Sequence, residues 1–375
     1  MGTVGNVGNV GNVGNVGNVG NVGNVGNVGN VGGFSSTLLN SALITTRDGI
    51  IGYWNPKSDF ERLPDLLSIA DICYLKPQQR AFIIDHELHR MVRVHIEDHA
   101  KGGAKVVFLG SASPPPNGIE IPRPPNEVFY AQLYHLHSYA DLREDRLAEI
   151  SMQLGDILSF FGGLSYLDDE RHGQQVEILS ATIRLATHVE MMVKHFCRSP
   201  RPIELAPEVF PMIQTPDHST YPSGHACEAF AVASVMNRML GGAAPKDVIG
   251  AANQNTHMLF RLAARIAENR IVAGVHYPID SLAGAMLGIM LGEYVWGAFT
   301  GNEVNAPKKI APFDDPDSSQ SEANYGLDFT LPTLKDCLSA TGSDTSLGTF
   351  ASPLLQSYWA DLLPEQAAKP KQPAE

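Results

Sequence analysis

The sequence predicts an all-α protein: a helical bundle preceded by a small mixed segment, with flexible tails. From residue 126 to about 300, apolar residues recur every three or four positions, which is the period of helices packed on a core. Hydrophobic residues make up 43% of the chain, enough for a sizeable core. Outside that region the sequence is of low complexity or rich in proline and polar residues.

The first segment, residues 1–33, contains nine copies of Gly-Asn-Val at Gly5–Val31. Glycine at every third position makes ordering this segment costly in conformational entropy, so we predict a disordered tail. Asn-rich and Val-rich repeats can also stack as strands, and a self-associating repeat is the alternative interpretation.

The second segment, residues 34–125, is predicted to be mixed and to pack on the bundle. It contains two β-like stretches, one helical stretch and a proline-rich loop. These are strands at Ser41–Thr46 and Ala104–Gly110, a helix at Gln78–His99, and a loop at Ser111–Pro125. Asp85 and several histidines in the helical stretch lack the His-Glu-x-x-His spacing, so we interpret them as a solvated face rather than a metal site.

Residues 126–300 are predicted to form the bundle, with helices at Val128–Met152, Leu154–Leu167, Gln174–Phe196, Gly224–Leu240, Asn255–Arg270 and Pro278–Phe299. The run Ser281–Gly301 is long enough to cross a bilayer, but it includes Glu293 and stands alone. We interpret it as a buried core helix and expect no transmembrane span.

The extension 301–375 is polar, and we expect partial order in it. Leu354, Trp359 and Leu362 are predicted to pack on the bundle, whereas Lys369–Glu375 should be loose.

The net charge and the cysteine content indicate which binding partners and which cellular compartment to expect. The formal net charge of −13 argues against nucleic acid and anionic membranes as partners. The four cysteines show no paired spacing, which is typical of thiols in a reducing compartment. No charged segment followed by an apolar one is seen at the N-terminus, so we expect a cytoplasmic protein.

Three short clusters of charged and small residues reverse the sign of that net charge locally. They are Lys194 with Arg201-Pro202, then Pro222-Ser223-Gly224-His225, then Arg270, His276 and Asp280. Permanent cations, imidazoles and a Ser-Gly helix start suit a tetrahedral oxyanion better than a metal cation.

Local sequence rules give each cluster a geometry. Pro200 and Pro202 must stop the helix that carries Lys194, which leaves Arg201 in the extended segment beyond it. Asp280 follows His276 by four residues, within reach of an imidazole N–H, and would fix the imidazole tautomer.

The combined pattern, Lys-x6-Arg-Pro, Pro-Ser-Gly-His and Arg-x5-His-x3-Asp, resembles the signature of the type 2 phosphatidic acid phosphatase and vanadium-dependent haloperoxidase superfamily. The resemblance covers roughly residues 126–300, and Asn269 stands where the family usually has Ser. It implies a bundle of that type. It also implies that oxyanion contacts come from Lys194, Arg201, Ser223, Gly224 and Arg270.

The resemblance further implies roles for the remaining residues. The match to His276 attacks phosphorus or ligates vanadium, the match to His225 is the general acid and base, and the match to Asp280 orients His276. In a haloperoxidase, Lys194 would also polarise the peroxide.

Between the two branches, we place the vanadate-dependent haloperoxidase first. The expected cofactor is then vanadate on His276, and the substrates are hydrogen peroxide and a halide. His218 matches the halide-side position, which favours bromide over chloride. The alternative is a soluble acid phosphatase that needs no cofactor and hydrolyses a small phosphomonoester through a phosphohistidine.

Two other classes stay open. A metal hydrolase could use His218, His225, His276 and Asp280, although three nearby cations would repel a divalent ion. A non-catalytic scaffold could be built on the N-terminal repeat. A homo-oligomer is also possible.

Overall fold

The computed structural model describes residues 41, 44–51, 69–110, 118–168, 171–249, 257–313, 325–341, 345–350 and 352–367. Ten helices of eight or more residues lie in these ranges: α1 Pro77–Arg90, α2 Asn126–Tyr139, α3 Arg143–Gln153, α4 Leu158–Ser165, α5 Gly173–Cys197, α6 Gly224–Met239, α7 His257–Val272, α8 Pro278–Thr300, α9 Leu331–Ala340 and α10 Pro353–Ala367. The strands are β1 Val92–Ile96, β2 Gly103–Phe108, β3 Ile119–Pro122, β4 Glu303–Ala306 and β5 Thr345–Thr349. The predicted all-α bundle is confirmed.

Helices α6 and α8 form the centre of the bundle, and their backbones lie unusually close. Gly284, Gly288 and Gly292 repeat every four residues along one face of α8, and each faces the backbone of α6. A Cβ atom at Gly288 would lie 2.2 Å from the carbonyl oxygen of Cys227. Only glycine permits this approach, which holds the starts of both helices together.

Helix α8 is the predicted core helix. By length and composition it could span a membrane, and 89% of its most apolar window is buried inside the protein. Among the described residues, no other helix has that length and composition. Helices α5 and α7 pack against α6 on its remaining sides.

A small antiparallel sheet, ordered β1-β2-β3, packs on α5. Its register pairs Val92 with Phe108 and Val106 with Ile119. Val106 and Phe108 are buried, so the inward face of β2 extends the core of the bundle. The sheet thereby fixes the chain that leads into α2, which borders the site described below.

The C-terminal extension contributes a second sheet, β4 with β5, and two helices. As predicted, Leu362 is buried and Leu354 and Trp359 are partly buried on the core. The Trp359 ring meets Trp296 of α8 edge-on, with 5.0 Å between the ring centroids. The Gly-Asn-Val repeat and Lys369–Glu375 lie outside the described residues.

Three predicted elements of the N-terminal segment are wrong. The helix predicted at Gln78–His99 ends at Arg90, because Val92–Ile96 pairs with β2 as a strand. Within Ser41–Thr46, predicted as a strand, the described residues are helical. The predicted loop Ser111–Pro125 contains β3, whose buried Ile119 and Ile121 outweigh the neighbouring prolines.

The first predicted bundle helix, Val128–Met152, is in fact two helices. A single tight turn at Ala140–Leu142 separates α2 from α3. The apolar period continues across that turn, so the pattern alone could not reveal the break.

The histidines of the predicted first helix are divided between different elements. The Nδ1 atom of His89 lies 2.5 Å from the carbonyl oxygen of Asp85. The Asp85 carboxylate pairs with Arg184 of α5 at 2.7 Å, while His95 lies on β1.

Candidate active site

Lys194 lies in the last turn of α5, and its ammonium group is buried. The Nζ atom donates to the carbonyl oxygen of Pro222 at 2.5 Å, and the carbonyls of Ser219 and Thr220 lie at 3.4 Å. Helix α5 then stops where the prolines require, and Lys194 ties its end to the segment before α6. Burial lowers the pKa of Lys194, with the nearby Glu190 opposing that change.

Arg201 joins the first cluster to the third cluster and to His218. It is extended, as predicted, and its Nε atom donates to the carbonyl oxygen of His218 at 2.9 Å. Its Nη1 atom donates to the carbonyl of Val275 at 2.8 Å and lies 3.2 Å from Nε2 of His276. Its Nη2 atom lies 3.1 Å from Nδ1 of His218. Burial lowers the pKa of Arg201 to about 10, so the guanidinium stays charged at neutral pH.

His276 makes the predicted contact with Asp280. Its Nδ1 atom lies 3.0 Å from Oδ2 of Asp280, which also accepts the Thr220 hydroxyl at 2.5 Å and the Tyr277 backbone N–H at 3.0 Å. The carboxylate therefore holds the proton on Nδ1 and leaves the Nε2 lone pair toward Arg201. Burial lowers the pKa of His276 well below its usual value, so the ring is neutral.

Ser223 and Gly224 open α6. Ser223 occupies the N-cap position without making a side-chain cap bond, and its buried Oγ has no hydrogen-bond partner among the described residues. Its backbone N–H donates to the carbonyl of Asp280 at 2.9 Å, which joins the second and third clusters. A Cβ at Gly224 would lie 2.5 Å from the carboxylate of Glu190. Glycine thus lets the Glu190 carboxyl group lie against the start of α6, where any side chain would collide with it.

His225 and Arg270 share one partner, Gln153 at the end of α3. The Nε2 atom of His225 lies 3.1 Å from the backbone carbonyl of Gln153. The Nη2 atom of Arg270 donates to the side-chain Oε1 of Gln153 at 3.1 Å. The Nε and Nη1 atoms of Arg270 are buried and find no acceptor in the described ranges. Burial and the Arg270 charge lower the pKa of His225 well below its usual value.

His218 lies at the outer side of this group and is half-buried. Burial, with help from Lys194 and Arg201, lowers the pKa of His218 to about 4, so its ring is neutral. Asn269 does not extend the cluster. Its amide donates to Oε1 of Gln153 at 3.0 Å and its oxygen accepts from Arg146 at 3.1 Å.

Sequence reasoning missed four residues that shape this site. Thr220 and Gln153 hold the histidines, and Glu190 and Glu228 place two buried carboxylates beside the cations. Glu190 precedes Lys194 by one helical turn on a buried face, a signal that could have been read. Burial raises the pKa of both glutamates, so each resists ionisation.

The structure thus brings all of the predicted site residues together. The buried cations Lys194 and Arg201 act on the neutral ring of His276, and Arg270 acts on that of His225. The buried Ser223 Oγ and the Nε and Nη1 atoms of Arg270 lack acceptors among the described residues. A tetrahedral oxyanion supplies both the acceptors and the charge. A divalent metal is disfavoured, because a guanidinium lies 3.2 Å from the free nitrogen of His276.

Comparison with known proteins agrees with this geometry. Residues 176–303, from the first turn of α5 to the end of α8, match the PAP2 superfamily. This part of the chain is a PAP2 superfamily domain. It contains the three clusters, whereas Gln153 and the N-terminal sheet lie outside the PAP2 match.

Two relatives come from Mycobacterium tuberculosis, strains CDC 1551/Oshkosh and ATCC 25618/H37Rv. Each is described as a decaprenylphosphoryl-5-phosphoribose phosphatase. Each is 28% identical over 139 residues, which is 37% of this chain and 68% of the relative. The likeness is therefore to phosphatases, and the haloperoxidase branch stays a prediction.

Proposed function

We propose that the protein is a phosphatase that hydrolyses phosphomonoesters through a phosphohistidine at His276. The observation that carries this proposal is the set of buried donors, Ser223 Oγ with Nε and Nη1 of Arg270, that have no acceptor among the described residues. They stand beside a neutral histidine whose unprotonated Nε2 is the nucleophile and lies 3.2 Å from the Arg201 guanidinium. The relatives named as phosphatases support the same reaction class.

In the first step, Nε2 of His276 attacks phosphorus, and the bond from phosphorus to the ester oxygen breaks. Lys194, Arg201 and Arg270 neutralise the phosphoryl oxygens as the bond changes. Asp280 keeps the proton on Nδ1 and stabilises the positive charge that forms on the ring.

His225 supplies the proton that the leaving oxygen takes up. Its Nε2 is held at the Gln153 carbonyl, so Nδ1 is the atom that faces the reaction. The neutral ring gains a proton when a dianionic substrate offsets the Arg270 charge. In the second step, Nδ1 takes a proton from water, which attacks the phosphohistidine and releases phosphate and His276.

The test is hydrolysis of p-nitrophenyl phosphate by the purified protein and by His276→Ala. We expect turnover by the wild type and a loss of at least about a thousandfold in the variant, because the nucleophile is gone. The matched control is His137→Ala, on an exposed face of α2, which should keep full activity. Full activity in His276→Ala would refute the proposal.

A vanadate-dependent haloperoxidase is the second candidate, since vanadate is also a tetrahedral oxyanion. The unpartnered donors of Ser223 and Arg270 fit it equally well, with His276 as the ligand and Lys194 and Arg201 as further contacts. When bound, vanadate would supply the activation of hydrogen peroxide for halide oxidation. The neutral His218 beside the entrance would meet the halide.

One assay separates the candidates. The protein is incubated with and without orthovanadate, and bromination of a dye by peroxide and bromide is followed beside phosphate release. The phosphatase proposal expects vanadate to inhibit phosphate release and no bromination to occur. Vanadate-dependent bromination without phosphatase activity would reverse the order of the two candidates.

A further inference from the structure

A cavity of about 650 Å³ lies above the oxyanion site and shares Lys194 and Arg201 with it. This volume is within the range of small-molecule sites, which run from roughly 300 to 1,000 Å³. Two further arginines, Arg123 and Arg198, line the cavity outside the site itself. The cavity is thus larger than a phosphate group needs, and it has additional positive charge.

The charge of this cavity differs from that of the chain. Among the described residues, four basic side chains line it, against the two carboxylates of Glu204 and Asp217, in a protein of formal net charge −13. The Glu204 carboxylate is already engaged, because it accepts the backbone N–H of Arg201 at 2.7 Å. Like-signed side chains around one concave surface focus the potential and attract anions.

Arg123 is held in place at this cavity. Its guanidinium donates to the Pro124 carbonyl at 3.0 Å and to the side chain of Asn126 at 2.7 Å. It also lies 5.8 Å from the centre of the Phe129 ring. A guanidinium fixed in this way loses little conformational entropy when it binds an anion.

Arg198 occupies a position that favours glycine. It caps α5 in the left-handed conformation, with φ of 47°. A non-glycine residue there costs of the order of 1 kcal/mol, and helices usually place glycine at this point. The exposed Arg198 side chain forms no ion pair with any described residue. The chain thus keeps an arginine at this strained position, and its unpaired positive charge lies in the cavity lining.

We propose that this cavity binds a second anionic group of the substrate, through Arg198 and Arg123. The inference rests on the proposed phosphatase function and names its substrate class: phosphomonoesters that carry another phosphate or a carboxylate. The phosphate that is hydrolysed binds beside His276, while the second anionic group binds in the cavity. Tyr130 and Met191 line the cavity beside the cations and contact the carbon skeleton.

The experiment compares kcat/KM for fructose 1,6-bisphosphate, 3-phosphoglycerate and fructose 6-phosphate in wild type and in Arg198→Gly. Glycine removes the charge and suits the left-handed backbone, so the variant should fold at least as well. We expect the bisphosphate to lead fructose 6-phosphate by about tenfold in wild type and to lose about tenfold in the variant, as for one charge-assisted contact. Fructose 6-phosphate should change less than twofold. The phosphoglycerate arm shows whether a carboxylate serves in place of phosphate.

Arg171→Ala is the matched control. It removes the same charge just before the start of α5, whose 25 residues span about 37 Å, and should leave all three values unchanged. Equal kcat/KM for the bisphosphate and fructose 6-phosphate in wild type, or an unchanged ratio in Arg198→Gly, would overturn the inference. That result leaves the phosphatase proposal standing, because the assay of p-nitrophenyl phosphate with wild type and His276→Ala tests that proposal separately.

Discussion

Asp280 decides the protonation state of His276, and its own titration should limit activity in acid. Burial raises the pKa of Asp280 to about 6, although hydrogen bonds from Thr220 and Tyr277 favour the carboxylate. Protonation of Asp280 removes the negative charge that orients His276 and stabilises the positive charge formed on its ring during attack. The active form is therefore present above about pH 6 and lost as the pH falls through it.

We expect kcat/KM for p-nitrophenyl phosphate to fall about tenfold per pH unit below pH 6, because one proton inactivates the free enzyme. The substrate phosphate also titrates near pH 6, so Asp280→Asn is the reference. That variant should be slower at every pH, and its kcat/KM should not show the fall below pH 6 that the titration of Asp280 causes. The same decrease of kcat/KM below pH 6 in both proteins would show that Asp280 does not cause it.

The motif residues were predictable, whereas Gln153, which contacts two of them, was not. Short spacings reveal Lys194, His225 and His276, since each lies beside its local partner in the chain. Gln153 precedes His225 by 72 positions, and only the packing of α3 against α6 and α7 brings it to both His225 and Arg270. A single sequence contains no signal for such a contact.

Among the helices, α5 to α8 follow their apolar period and start signals closely, and the sequence located them to within a few residues. The N-terminal helix was overextended because Val92–Ile96 continues an apolar pattern. Its pairing with β2 requires a partner strand that local periodicity does not show. Tertiary pairing therefore decides the strands, while local chemistry decides the long helices.

Contact between α6 and α8 positions the start of α6, so the glycines of α8 at this contact should be intolerant of substitution. In Gly288→Ala, the new methyl group would lie 2.2 Å from the Cys227 carbonyl and force the helices apart. We expect a loss of about 1–3 kcal/mol in the free energy of unfolding, measured by urea denaturation.

Gly163→Ala provides the control for that substitution. Gly163 lies within α4, and a Cβ there would meet nothing within 4 Å. Alanine should stabilise this helix by about 0.5–1 kcal/mol, because it restricts the unfolded chain. Equal effects at the two positions would mean that the close approach of α6 and α8 is not limiting.

On the scale of the whole molecule, segments outside the PAP2 domain brace it. Gln132 of α2 accepts the backbone N–H of Ile279 at 2.9 Å and donates to the carbonyls of Tyr325 and Leu327. One side chain thus links the C-terminal extension to the start of α8, next to Asp280. The sequence predicted that the extension packs on the bundle, but these partners lie up to 195 residues apart and had no local signature.

The proposed function requires that the three clusters close around a single phosphoryl group and that this group is transferred to His276. The most direct measurement uses His225→Ala with p-nitrophenyl phosphate, whose leaving group needs no proton. Without His225, water attack should be slow and the phosphoenzyme should accumulate.

We expect a burst of p-nitrophenol equal to one per active site. An alkaline quench and peptide mass spectrometry should then place phosphate on His276. Phosphate on any other residue, or repeated turnover without a phosphorylated His276, would contradict the account.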